Sequence, residues 1–197
     1  TLTQPAVLAV SLTKTNASCG GVCDGKSTAT VSSGTSPYKY DWSTGSSTTT
    51  ASTTNTILGL CAGTYTVTIT DKNSCVKTAT VTITEPAVLT ATASGTNVTC
   101  NSKCDGSATV VTTGGSGGNV YTWTPGTPTG YTTTTITNLC PNTYTITVKD
   151  VNNCVATDQV TITEPAVLDA TATSTNVSCF GACDGTATST TTGGTTP

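Results

Sequence analysis

The segment Gln4-Pro5-Ala6-Val7-Leu8 returns as Glu85-Pro86-Ala87-Val88-Leu89 and again as Glu164-Pro165-Ala166-Val167-Leu168, about 80 residues apart each time. That period decides what the chain can fold into. It far exceeds a solenoid repeat of roughly 20 to 50 residues, so each copy is expected to close its own small core and join its neighbour end to end. The 197 residues then divide into a first repeat at 1–83, a second at 84–162 and the opening strands of a third at 163–197. A chain that stops inside a copy is expected to be part of something longer. No run of about 18 apolar residues occurs, so no membrane span is expected in this segment.

Ten cysteines fall at matching places: Cys19, Cys23, Cys61 and Cys75, then Cys100, Cys104, Cys140 and Cys154, then Cys179 and Cys183. Regular cysteines in even number within small domains read as a disulfide framework in an oxidising, extracellular setting. Zinc is the competitor, because Cys-x3-Cys suits a metal knuckle, but Cys61 and Cys75 are separated by a strand, which argues against it. The chain has no His to join such a site or to act as a catalytic base, and no Gly-rich phosphate loop precedes a helix. Neither an enzyme nor a cofactor is expected. Seven lysines are scattered against ten acids, for a net charge of -3. That leaves no basic face for nucleic acid, and solubility falls to threonine and serine hydroxyls.

Thr64-Tyr65-Thr66-Val67-Thr68-Ile69-Thr70 alternates without fault, with Tyr65, Val67 and Ile69 on one face. This is a half-buried strand. The second repeat keeps the pattern at Tyr144, Ile146 and Val148, exchanging Val and Ile so that interior volume is held. Shorter strands are predicted over Leu8–Leu12, Ser27–Ser32, Tyr38–Trp42 and Lys77–Ile83, with a weaker one across Thr48–Ile57. Their counterparts are Leu89–Ala93, Ser107–Val111, Val120–Trp123, Ala156–Ile162 and Thr132–Ile136. Turn formers such as Asp24-Gly25, Thr44-Gly45 and Asp71-Lys72-Asn73 separate them. Six or seven short strands per copy make an antiparallel β-sandwich, and the β-branched content disfavours helix. Trp42 and Trp123 are read as core centres rather than sugar-stacking platforms, since neither lies in an aromatic cluster. Tyr65 and Tyr144, just after a turn, stand where a tyrosine corner ties a sandwich together.

The joints Thr84-Glu85-Pro86-Ala87 and Thr163-Glu164-Pro165-Ala166 are short, and proline stiffens them. A rod is expected, each repeat adding roughly 35 to 45 Å. The strand between Cys61 and Cys75 separates its ends by about 17 to 20 Å, beyond the roughly 7 Å that disulfide Cα atoms tolerate. Cys61 is therefore expected to pair with Cys19 or Cys23. Cys75 opens the last strand at the opposite end, facing the preceding repeat. Two arrangements stay open: Cys154 cross-links to a leftover cysteine of the Cys19, Cys23, Cys61 group, or every bond lies within a repeat.

Asp71, Glu85, Asp150 and Glu164 recur at turns and joints. They are weak calcium candidates, with hydrogen bonding in turns the favoured role for the aspartates. Asn16, Asn97 and Asn176 open glycosylation sequons at one place in each copy.

The run Asn97-Val98-Thr99-Cys100, Cys104-Asp105-Gly106, Tyr121-Thr122-Trp123, Asn138-Leu139-Cys140, Thr143 to Val148, Asp150 and Asn153-Cys154 resembles the SprB-type repeat of giant surface adhesins from gliding and related Bacteroidota. The first repeat carries the pattern as Ser18-Cys19, Cys23-Asp24-Gly25, Tyr40-Asp41-Trp42, Gly59-Leu60-Cys61, Thr64 to Asp71 and Ser74-Cys75. The third carries Cys183-Asp184-Gly185. The resemblance implies tandem immunoglobulin-like or polycystic-kidney-type (PKD-like) sandwiches, export by the type IX route and arrays that form a filament in gliding motility. It brings no catalytic residues. Between the copies, Gly63 gives way to Asn142 and the second repeat inserts Gly114 to Gly118, so ligand contacts would fall in those turns.

The expected function is a stalk or filament segment of an extracellular, cell-surface adhesin. Its partners are neighbouring repeats of the same chain, surface polysaccharide or copies of itself. Many modest contacts on one tether gain by avidity. The competing expectations are a carbohydrate-binding module beside a secreted enzyme, marked by few copies next to a catalytic domain, and a self-assembling fibre subunit.

Overall fold

The computed structural model describes residues 6–125 and 133–195. Among the described residues the first repeat forms seven strands: β1 (Val10–Thr15), β2 (Gly25–Val31), β3 (Tyr38–Trp42), β4 (Ser47–Thr50), β5 (Thr54–Leu60), β6 (Gly63–Thr70) and β7 (Val76–Ile83). They make two antiparallel sheets, β1-β2-β5 and β4-β3-β6-β7. That strand order is immunoglobulin-like: the first, second and fifth strands oppose the third, sixth and seventh.

The alternation seen in sequence becomes the inner faces of these sheets. Val67 and Ile69 of β6 are wholly buried and meet Ala29, Val31, Ile57 and Leu60 of the opposing sheet, with Trp42, Tyr40 and Ile83 completing the core. Burying a side chain of the size of Val67 or Ile69 contributes about 1.5 to 3 kcal/mol. Tyr65, at the head of β6, is half-buried at the core edge, and its hydroxyl donates to the Cys61 carbonyl at 3.0 Å. This is the tyrosine corner of a sandwich. The Trp42 indole donates to Asn55 at 2.8 Å, so its polar edge is satisfied inside the core. Gly25 opens β2 because a Cβ there would stand 2.8 Å from both the Ile83 side chain and the Leu60 carbonyl.

The second repeat repeats the plan with β8 (Thr90–Thr96), β9 (Gly106–Thr113), β10 (Val120–Thr124), β11 (Thr135–Leu139), β12 (Asn142–Lys149) and β13 (Val155–Ile162). Its sheets are β11-β9-β8 and β10-β12-β13. Trp123, Ile146, Val148 and Ile162 are its buried centre. The Tyr144 hydroxyl donates to the Cys140 carbonyl at 3.0 Å, and Gly106 fits against Ile162 as Gly25 fits against Ile83. The third copy contributes one hairpin, β14 (Asp169–Thr175) with β15 (Thr186–Thr192).

Several strand bounds differ from expectation. The Thr48–Ile57 stretch is two strands, β4 and β5, joined by a turn at Ser52, whose hydroxyl and amide bond Thr54 and Thr50. A run of threonines has no alternation from which that break could be read. β1 starts at Val10 rather than Leu8, because its pairing with β2 begins at Val10 opposite Val31; Leu8 is buried ahead of the strand. The predicted start at Thr132 lies outside the described residues, and β11 runs from Thr135.

Two compact units emerge. The first gathers residues up to Leu89 with Thr113–Gly118 and Asp150–Cys154; the second gathers Thr90–Thr112, Asn119–Lys149 and the chain from Val155 onward. Two turns of the second sequence repeat are thus folded into the first compact unit.

Candidate functional site: the cysteine-bearing turns

Each copy builds a small frame just before its second strand. In the first, the Ser18 amide and hydroxyl donate to the two carboxylate oxygens of Asp24 at 2.8 and 2.5 Å. In the second, Thr99 donates to Asp105 at 2.9 and 2.5 Å. In the third, the Ser178 amide donates to Asp184 at 2.9 Å. The Ser18 hydroxyl, then its amide, holds Asp24 below the usual carboxylate range; Thr99 does the same for Asp105 and Ser178 for Asp184. These frames fix the loop that carries the paired cysteines.

The joint residues latch onto the same loop. Glu85 accepts the Gly21 amide at 2.8 Å, and Glu164 accepts the Ser102 amide at 2.6 Å. Asn16 accepts the Thr84 amide at 3.2 Å, and Asn97 accepts the Thr163 amide at 2.9 Å. Glu85 and Glu164, weak calcium candidates in sequence, therefore serve as hydrogen-bond acceptors for backbone. No group of three His, Cys, Asp or Glu that could hold a metal occurs among the described residues. Asn16, Asn97 and Asn176 are all exposed.

A second kind of turn follows β6 and β12. Asp71 is buried, and its carboxylate accepts the amides of Thr35, Asn73 and Cys75 at 3.0, 2.8 and 2.9 Å. The Thr35 amide is the main cause holding its carboxyl below the ordinary value. Asp150 repeats this with Ser116, Asn152 and Cys154, each at 2.9 Å. Burial alone would raise the Asp150 carboxyl, but those three amides outweigh it and the net direction is down. Both carboxylates are engaged by backbone amides around their own turns. Ser74 and Asn153 take positive φ of 64° and 68° in these turns, which brings each cysteine amide back onto its aspartate.

The structure joins three pairs of cysteines. Cys23 bonds Cys61 and Cys104 bonds Cys140, each with Cα atoms 3.9 Å apart. Cys19 bonds Cys154 across 135 residues of sequence, with Cα atoms 5.7 Å apart. This third bond lies inside the first compact unit, where the Asn152 side-chain amide also donates to the Ser18 carbonyl at 3.0 Å. The same amide reaches Ser116 at 2.9 Å, so Asn152 ties its own turn to the cysteine loop. Of the ten sequence candidates, Cys75, Cys100, Cys179 and Cys183 are exposed free thiols. Asn152 and the pairing of Ser18 with Asp24 escape sequence reasoning, which places Asp24 only in a turn; the signal is the recurrence of Asp-x-Asn-x-Cys in the first two copies and of Ser/Thr-Cys-x3-Cys-Asp in all three.

Two segments of the chain, residues 11–47 and 92–128, match the SprB repeat family. Among the curated proteins, none matches the chain in sequence. Similar solved structures include a C-terminal 282-residue fragment of intimin in complex with the intimin-binding domain of the translocated intimin receptor. It is 13% identical, with 85% of this chain and 67% of that one covered and a TM-score of 0.41. The fibronectin(III)-like modules of Clostridium thermocellum CbhA are 18% identical over 78% of this chain and 94% of theirs, with a TM-score of 0.32. Murine CEACAM1b is 15% identical over 71% and 92%, with a TM-score of 0.31.

Proposed function

We propose that this chain, two of whose segments match the SprB repeat, is a load-bearing run of repeats in an extracellular surface adhesin. In that role it extends a contact region away from the cell and performs no catalysis. The observation that carries this reading is the bond between Cys19 and Cys154. A disulfide within one small domain stabilises that domain, whereas one spanning two sequence repeats adds a covalent route beside the peptide backbone. Such a route has a purpose where tension runs along the chain. Three disulfides in a chain poor in charge fit an oxidising environment outside the cell, and the gliding, filament and type IX export roles of SprB-type adhesins extend the same reading.

Single-molecule stretching between the two ends of the chain tests it. With the disulfides intact, the 135-residue span between Cys19 and Cys154 contributes nothing to the extended length. Added reductant is expected to release roughly 450 to 490 Å, at about 3.3 to 3.6 Å per residue. Equal extension with and without reductant would overturn the load-bearing role.

A further inference from the structure

We propose that the free cysteines Cys75 and Cys100 belong to two separate cross-repeat bonds of the Cys19–Cys154 kind, each closing on a different neighbouring copy in series. Cys100 takes a cysteine from the Asp-x-Asn-x-Cys turn of the repeat begun at Glu164. Cys75 takes the first cysteine of a Ser/Thr-Cys-x3-Cys loop in a preceding copy.

The geometry around both thiols is already that of the bonded pair. Cys100 occupies the place of Cys19. Its loop is held by Thr99 on Asp105 and by Glu164 on Ser102, as Cys19 is held by Ser18 on Asp24 and by Glu85 on Gly21. The Lys103 amide closes the loop on the Cys100 carbonyl at 3.2 Å, as Val22 closes on Cys19 at the same distance. Beside Cys100 lies a cavity of about 160 Å³ lined by Thr99, Asn101, Pro165, Leu168 and Gly194. All of these belong to the second compact unit. In the first unit the counterpart position beside Cys19 is filled by the Asp150–Cys154 turn.

The mating half is equally ready. In the Asp71–Cys75 turn the Asp71 amide donates to the Cys75 carbonyl at 3.0 Å, as Asp150 does to Cys154. Asn73 donates to Thr35 at 3.0 Å as Asn152 donates to Ser116. Asn152 then uses its amide on the Ser18 carbonyl; Asn73 is placed to do the same on a preceding copy. The occupant is a repeat rather than an unrelated protein because the turn seated on the matching loop comes from the next repeat along this chain.

Closing each bond removes two thiol protons and two electrons. The acceptor is an exchange-active disulfide of the oxidising compartment, which is reduced to a dithiol as the new S–S bond forms.

The inference rests on the extracellular reading above, and one experiment separates the two. The full protein is harvested from its producing cells with free thiols blocked, then digested and mapped without reduction. The expected result is a Cys100 peptide joined to an Asp-x-Asn-x-Cys peptide of another repeat, and a Cys75 peptide joined to a Ser/Thr-Cys-x3-Cys peptide of another. If Cys19–Cys154, Cys23–Cys61 and Cys104–Cys140 are intact while Cys75 and Cys100 carry the blocking group, the inference fails and the extracellular reading stands. If Cys75 and Cys100 are joined to each other, or to a cysteine of their own repeat, the inference also fails. If all ten thiols carry the blocking group, both fall.

Discussion

The loops around Cys19 and Cys100 have nearly the same hydrogen bonds and opposite fates. Asp24 and Asp105 accept the same pair of donors, and Glu85 and Glu164 latch the same position. Yet Cys19 is bonded and partly buried, while Cys100 is an exposed thiol. The frame therefore does not depend on the bond. Local acceptors hold the loop in the same way whether its first cysteine is bonded or free.

The strongest way to break this comparison is to remove the bonds that lie within a repeat. Cys23→Ala with Cys61→Ala frees a loop of 38 residues, and Cys104→Ala with Cys140→Ala frees one of 36. On chain entropy each is expected to cost about 4 kcal/mol, and urea denaturation should show near-equal losses in the two repeats. A large inequality would mean that the two copies are not energetically alike.

Acid should act next. Asp24, Asp71, Asp105 and Asp150 all ionise more readily when folded than in an unfolded chain. Below the ordinary carboxylate value near 3.9 the unfolded state binds protons that the native state refuses. The stability they contribute is thus fully present above that value and is lost as pH falls through the folded values. The urea midpoint should be flat above about pH 5 and fall below about pH 4. A midpoint unchanged to pH 2 would contradict the turn accounts.

Smaller effects sharpen the likeness of the two copies. Tyr65→Phe and Tyr144→Phe each delete one hydroxyl-to-carbonyl bond, with an expected loss of about 1 kcal/mol in thermal or urea melts. Smallest of all are the cross-strand threonine pairs. Thr28 and Thr56 face each other at 2.7 Å, Thr109 and Thr135 at 3.1 Å. Thr56→Ala and Thr135→Ala should each cost about 0.2 to 1 kcal/mol, and a difference beyond that range between them would show that the matching sheets are not interchangeable.

Much of this fold is legible from residues alone. The alternation through Tyr65, Val67 and Ile69 gives the inner face of β6, and the separation of Cys61 from Cys75 follows from strand rise. The choice of Cys23 over Cys19 as the partner of Cys61 is not legible, because both lie in one short loop and only the packed geometry distinguishes them. Asp71 and Asp150 carry a similar ambiguity: a carboxylate after a strand suits either a cation or its own turn, and what decides is which amides surround it. Cys183 holds the sequence place of Cys23 and Cys104 and is a free thiol.

The bond between Cys19 and Cys154 encloses both within-repeat disulfides in one large covalent ring. A protease that hydrolyses any single peptide bond between those two residues opens the ring without parting the molecule, since the fragments remain tied through sulfur. The threonine-rich loops can then be nicked in a hostile medium while whatever lies on either side stays attached.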